Sequence, residues 1–570
     1  MTNKSLKGMW KRTFGLFRNI RIPWLLYFLQ VILGIVSTKV ALLYIPYATD
    51  LRMGNINNFE LLWKFVGLML LAVVAQIAGQ IPSFYSGAIV QRNLQNKLIS
   101  RSVRLPMKSF ESKASQIVSW ITEDSAYANG LISSVVGFLT GVAATYMSIT
   151  SMSAIDLTMV YIVPIVLVWI LFSTWLEGKL MFLRGRRSRQ ASAELTAYLS
   201  EHLSFFTQIK QLHSQKEEFA RGKAAIHEYY RADIYQALLT FVIALVGSFI
   251  TKGITILVLV FGVVKVNDGS ITLTELAAFQ SYILVAYQSL SSLPNLYTKL
   301  MYYNGYLFYI SVLMSEKEEV YNRERTMDIE DQDLEFENVS FSYGDEQIIK
   351  NVSFTIPKGK ITLIAGPNGS GKTTIFKLIE RLYTPDSGVI RFGPYDAEKI
   401  HLQEWRRSIA YVLQEPQLFN GTIRENINYG MNRDVAEEET RSAAKLACAD
   451  EFINELPDGY DFVIGENGNR LSAGQRQRIA IARAVMLDPA YLLLDEATCN
   501  MDIYSETAVT EALMKLMDGR TTIMISHDMN MLENADHIIV LNDGAIEAEG
   551  TKAETTQNSE ILRKLIAANV

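Results

Sequence analysis

Hydrophobic positions follow two rhythms, one on each side of about residue 328. Before it, apolar residues gather into long uncharged runs: 22–49 (broken only by Lys39), 65–90, 126–155, 157–176, 234–264 (broken only by Lys252) and 277–298. Crossing hydrocarbon takes ~20 mostly apolar residues in a helix that satisfies its own backbone, so the pattern predicts six membrane spans. The connections at 50–64, Asp156 and 265–275 are short, whereas 91–129 and 177–233 are long. Residues 190–212 contain neither Gly nor Pro, so the spans are expected to continue as helices well past the bilayer.

After residue 328 the rhythm shortens. Residues 334–343 alternate like a half-buried strand, and 348–356 read as its antiparallel neighbour. The apolar strand 361–365 runs directly into GPNGSGKT at 366–373 and a helical stretch at 374–382. A second apolar strand, YLLLDE at 491–496, ends in two carboxylates, and LSAGQ at 471–475 opens the helical run 476–487.

Charge separates the same two regions. Residues 1–315 hold 15 acids and 28 bases, and residues 316–570 hold 44 acids and 26 bases. A basic apolar region followed by an acidic mixed one reads as a membrane domain (1–315), a linker (316–333) and a soluble domain (334–570). The long loops are basic, with Arg184, Arg186, Arg187 and Arg189 in the second, which places them and both chain ends in the cytoplasm. The basic N-terminus precedes a run too long for a signal peptide, and further spans follow it, so a retained first helix is expected. Cys448 and Cys499 are the only cysteines and the six histidines are scattered, which gives neither a disulfide framework nor a metal-ligand pattern.

The GPNGSGKT segment sits in the strand–loop–helix setting that phosphate binding requires. Gly369 and Gly371 let backbone N–H groups turn inward around phosphates, with the helix N-terminus behind them. Lys372 would reach the terminal phosphates and the Thr373 hydroxyl would ligate Mg²⁺. Asp495 would help hold Mg²⁺ through water, and Glu496, one residue farther out, would polarise the attacking water. Ser472 and Gly474 at a helix start fit either ordinary capping or a second phosphate site. Among the polar membrane positions, Gln76, Gln80, Gln280 and Gln288 could join helices or line a watery path. Lys252 divides between a cavity residue and a packed one, and Lys39 could snorkel.

Taken together, these motifs resemble ABC transporters of the exporter-type fold over essentially the whole chain. Gly366, Asn368, Gly369, Ser370, Gly371, Lys372, Thr373 and Thr374 match the Walker A segment, and residues 492–496 the Walker B strand. Ser472, Ala473, Gly474 and Gln475 match the signature segment, with Ala473 replacing its first glycine. Gln414 matches the Q-loop, Glu466 the X-loop acid, Asp502 the D-loop and His527 the H-loop. Tyr343 matches the aromatic residue that stacks on adenine.

The resemblance implies a multidomain membrane protein, an all-α six-helix transmembrane domain followed by an α/β P-loop ATPase domain of the ABC type. It implies ATP and Mg²⁺ as cofactors, with Glu496, His527 and Gln414 catalytic and Thr373, Gln414 and Asp495 around the metal. Two subunits would sandwich ATP, each setting Lys372 and Thr373 opposite the partner's signature segment, with coupling helices near 106–119 and 201–210. A homodimer is preferred to a heterodimer with a second half-transporter, because one chain carries both halves of a composite site. Export across a bacterial plasma membrane is the expected direction. Import of a metal–siderophore and an ATP-gated channel are the alternatives. A soluble DNA-repair or translation ATPase is excluded by the spans and by basic residues that follow the inside-loop pattern rather than a nucleic-acid face. The D-loop departs from the family pattern at Cys499, and Leu413 stands where proline commonly precedes Gln414.

Overall fold

Each of the six uncharged runs falls mostly within a helix of the computed structural model, as far as the run is described. The described residues are 12–18, 20–52, 58–110, 114–172, 191, 194–196, 198–199, 202, 205–319, 332–496, 503–526 and 529–568. They fall into two units, Met1–Val103 with Lys113–Glu316 and Arg104–Ser112 with Lys317–Val570.

In the first unit the long helices among the described residues are α1 (Trp24–Arg52), α2 (Phe59–Ser102), α3 (Tyr127–Ser153), α4 (Met159–Phe172), α5 (Gln215–Asn267) and α6 (Leu273–Leu313). Four helical stretches among the described residues are long and apolar enough to cross a membrane: Trp24–Arg52, Phe59–Ser102, Ile117–Ser153 and Leu245–Asn267. At 1.5 Å per residue, α5 with its 53 residues is about 80 Å long, far more than the ~30 Å of hydrocarbon. The segments expected to couple the domains contain short helices, Met107–Phe110 and Phe206–Gln211. Arg184, Arg186, Arg187 and Arg189 lie outside the described residues.

Polar side chains fix the helix ends and crossings. Thr272 and Glu275 form a reciprocal capping box at the start of α6. Asp156 accepts from the backbone N–H groups of Thr158 and Met159 at 2.7 and 3.1 Å, and pairs with Lys265 near the end of α5 at 3.0 Å. Tyr27 on α1 donates to Asn129 on α3 at 2.8 Å, where hydrocarbon would otherwise leave both groups unpaired. The apolar core of this unit gathers around Met152, Val258, Phe279 and Ile283.

The second unit is built on two sheets. Strands β1 (Leu334–Tyr343), β2 (Glu346–Ile356), β4 (Ser387–Phe392) and β5 (Tyr395–Asp396) make an antiparallel sheet in the order β2-β1-β4-β5. Strands β3 (Ile361–Ala365), β6 (Ile409–Val412), β7 (Tyr491–Asp495), β8 (Thr521–Ile525), β9 (His537–Asn542) and β10 (Ala545–Gly550) make the other, in the order β10-β9-β3-β8-β7-β6. All neighbours in it are parallel except β10. Its parallel strands are near-continuous apolar runs because both faces are covered. Successive residues therefore enter opposite cores: Leu363, Leu492, Leu494 and Met524 on one side, Ile364, Leu493, Ile523 and Ile525 on the other. Two helices matter for the site, α7 (Lys372–Ile379) after β3 and α8 (Ala473–Leu487) before β7.

Candidate functional site

Strands β3, β7 and β6 run parallel, so their following residues emerge at one carboxyl edge, the place where open α/β sheets hold ligands. The loop 366–371 leaves β3 there. Gly369 and Gly371 have φ of 82° and 103°, a region that costs other residues strain, and Gly371 leads straight into α7. A Cβ on Gly371 would lie 2.7 Å from the Cδ1 of the buried Ile349, so both backbone conformation and space favour glycine at that position.

Lys372 is buried and donates to the carbonyls of Gly366 and Pro367 at 2.8 and 3.0 Å. Burial depresses its pKa, and the carboxylates of Glu496 and Asp495 oppose that shift. Ser370 is buried and its hydroxyl oxygen has no partner among the described residues. An orphaned hydroxyl inside a loop of inward-turned backbone fits an oxygen-rich anion, so the loop suits the phosphates of a nucleotide.

Asp495 ends β7. Its Oδ2 accepts from the Tyr411 hydroxyl at 2.8 Å, and the Thr373 hydroxyl also bonds this side chain. Burial raises the Asp495 pKa; the Tyr411 bond, Lys372 and Thr373 lower it, and Glu496 raises it. Thr373 and Asp495 are thus together, as a shared metal site needs. Burial and the Asp495 charge push the Tyr411 phenol far up, so it stays a donor. Tyr411 was not singled out by sequence; its only signal is a hydroxyl-bearing aromatic at the end of a strand three residues before Gln414.

Glu496 lies just beyond β7 with φ 46°, unusual for a residue with a Cβ, and its N–H donates to the Ile525 carbonyl at 2.9 Å. Gln414 donates its side-chain amide to Glu496 Oε2 at 2.8 Å. Tyr343 stands at the end of β1 in an aromatic cluster, edge-on to Phe341 and Tyr383 with centroids 4.9 and 5.2 Å away. The Lys377 ammonium is 5.5 Å from its ring. A cavity of about 510 Å³ opens beside Tyr343 and Tyr383.

The signature segment opens α8. Ser472 and Gln475 form a capping box at the start of α8, with N–H to side-chain oxygen distances of 2.9 and 3.2 Å. Ser472 and Ala473 are exposed, and Gly474 is buried. Among the described residues, the Ser472 side chain hydrogen-bonds only within this box, while its carbonyl accepts from the Arg476 N–H at 3.0 Å. Farther along α8, Gln477 is fully buried and donates to the Leu413 carbonyl at 3.1 Å. Arg483 donates to the carbonyls of Asn426 and Gln417 at 2.9 and 3.1 Å. Glu466 begins a tight turn after Gly465. Asp502, Cys499 and His527 lie outside the described residues.

A family model described as "ABC transporter transmembrane region" matches residues 24–290, and one described as "ABC transporter" matches residues 349–499. A multidrug resistance ABC transporter ATP-binding and permease protein of Lactococcus lactis is 28% identical over 98% of this chain and 95% of its own length. An uncharacterized ABC transporter ATP-binding protein of Bacillus subtilis is 31% identical over 81% of this chain and 77% of its own. An ATP-dependent lipid A-core flippase of Chromobacterium violaceum is 29% identical over 96% of each chain. Among solved structures, a bacterial Atm1-family ABC exporter with ATP bound aligns over 100% of this chain and 99% of that one. Its TM-score is 0.81 at 23% identity, a likeness of fold.

Proposed function

Because the chain belongs to the ABC transporter family, we propose that it is a half-transporter that hydrolyses ATP to export a small molecule, lipid or peptide by alternating access. The observation that carries this reading is the meeting of Lys372, Thr373, Asp495, Glu496 and Gln414 at the carboxyl edge of one parallel sheet. Export is favoured over siderophore import and over a gated channel by the relatives, named as a multidrug transporter and a lipid flippase, and by the exporter fold.

The backbone of 366–371 and the Lys372 ammonium bind and orient the β- and γ-phosphates, and the Ser370 hydroxyl is available to the same oxygens. Thr373, Asp495 and Gln414 would hold Mg²⁺, which supplies neutralisation of charge on the phosphate oxygens when bound. Glu496 orients the attacking water and Gln414 fixes the direction of its carboxylate. Tyr343 offers a ring face to adenine. Asp502 and His527 take their roles from the motif match alone. Ser472, Ala473, Gly474 and Gln475 serve the partner subunit's nucleotide, so the working unit is a dimer in a bacterial plasma membrane with the ATPase domains in the cytoplasm. Alternating access is then a population switch driven by nucleotide.

The test is ATP-dependent uptake into inside-out vesicles, using fluorescent probes first ranked by stimulation of ATP hydrolysis. Wild-type vesicles accumulate at least one probe, and Glu496→Gln vesicles accumulate none. Accumulation indifferent to Glu496→Gln would overturn the coupling of hydrolysis to transport.

A further inference from the structure

The end of α7, the helix that Lys372 opens, is held by two neighbouring side chains of the short helix Leu402–Arg407. A helix leaves its last carbonyls without partners of their own, and a cation placed there also meets the negative end of the helix dipole. Buried Trp405 donates its ring N–H to the Ile379 carbonyl at 2.7 Å. Arg406 donates Nε to the Glu380 carbonyl at 3.3 Å and Nη2 to the Arg381 carbonyl at 3.0 Å.

The same guanidinium holds a second element. Its Nη1 and Nη2 donate to the two carboxylate oxygens of Glu319, each at 2.9 Å. The pair is largely withdrawn from water, with the Glu319 side chain 12% and the Arg406 side chain 29% exposed. Arginine suits this place, because its planar fork takes a carboxylate with two bonds and still has Nε for another acceptor.

Glu319 lies where the chain returns from the membrane helices. The chain crosses between the two units after Val103, Ser112 and Glu316. Within the second unit, the Glu319 N–H donates to the Arg104 carbonyl at 2.9 Å, and the Arg104 guanidinium is 3.9 Å from the Glu318 carboxylate. The passage that follows α2 and the passage that follows α6 are therefore fastened to each other, and Arg406 fastens them to α7. That helix has eight residues, about 12 Å, so a pull on its first turn reappears at its last carbonyls.

Resting on the transport reading above, we propose that Arg406 is a positioning residue for coupling. Through Glu319 it passes nucleotide occupancy from α7 to the junction of Arg104 with Glu319, a link separate from Gln414. All of its contacts are made within one chain.

The test uses the full chain in nanodiscs. Hydrogen exchange is read by mass spectrometry on peptides covering 101–110 and 313–319, with and without a non-hydrolysable ATP analogue. In the wild type the analogue is expected to slow exchange in both peptides by about fivefold or more. Arg406→Met and Glu319→Gln each remove most of that response while binding the analogue with near-native affinity and keeping basal ATP hydrolysis. The double variant loses no more than either single one, as the two ends of one link should. Exchange indifferent to the analogue in the wild type, or a full response in both single variants, would overturn the proposal. So would loss of analogue binding in both variants in step with a lower unfolding temperature, which marks a pair that only holds the fold. Probe uptake into inside-out vesicles is measured separately, and uptake per ATP hydrolysed is expected to fall at least about fivefold in each variant. A wild type with the Arg406-dependent exchange response but no uptake of any probe would overturn the transport reading and leave the link standing.

Discussion

Gln414 holds the carboxylate of Glu496 through a 2.8 Å hydrogen bond, joining the segment after β6 to the end of β7. The bond constrains a side chain whose backbone is already committed by its left-handed φ of 46° and its N–H bond to Ile525. A group that must aim at one water gains from losing both freedoms.

Glu496→Gln is therefore expected to bind ATP with near-native affinity and to lose about 10²-fold or more in turnover. Steady-state hydrolysis by the purified full chain, beside equilibrium binding of a fluorescent ATP analogue, checks this. Wild-type turnover in the variant would show that Glu496 does not orient the water.

Tyr411→Phe tests the phenol on Asp495. The hydroxyl bond is one of the influences that lower the Asp495 pKa against the upward push of burial. Without it the carboxyl protonates more readily, so the acidic limb of the ATPase pH profile moves to higher pH. Half-saturation in Mg²⁺ rises in parallel. A pH profile and metal titration superimposable on wild type would remove Tyr411 from the site.

Glu380 caps the end of α7, where burial lifts its pKa from 4.5 to about 7 while Arg406 and Lys377 pull it down. The folded protein thus binds this proton more tightly than the unfolded chain. Stability falls as pH rises from about 4.5 through 7, by up to roughly 3 kcal/mol, and is flat on either side. Glu380→Gln should abolish this slope and raise the unfolding temperature at pH 8 more than at pH 5. Equal shifts at both values would place the titration elsewhere.

Expressed alone and reconstituted in nanodiscs, the chain is expected to run as a dimer and hydrolyse ATP at two equivalent sites. The same subunit carries Lys372, Asp495 and Glu496 together with Ser472 and Gly474. Mass measurement with hydrolysis assays decides this; a monomer active only beside a different half-transporter would make it one member of a heterodimer.

Much of this was legible because local patterns carried it. The buried strands at 361–365 and 491–495, the glycine turn between β3 and α7, and the Ser472 cap all follow from neighbours in sequence. Tyr411 was hidden because its partner is 84 residues away and the two meet only through the adjacency of β6 and β7. Gln477 was hidden for a similar reason: a polar residue in a helical run looks solvated until the packing buries it against Leu413. In the membrane unit, the run at 277–298 announced a helix, but not that it would extend unbroken from Leu273 to Leu313. Its boundaries depend on the Thr272–Glu275 cap and on neighbouring helices rather than on the apolar run.

The two fastenings of α8 give that helix a further meaning. Gln477 grips the backbone at Leu413 and Arg483 grips it at Gln417, on either side of Gln414. The start of the same helix presents Ser472 outward. In the proposed dimer, then, the helix that senses one nucleotide is bolted to the segment that aims the carboxylate for the other. Each subunit would act as a rocker arm with one end in each reaction, so hydrolysis at one site would be timed by occupancy of its twin.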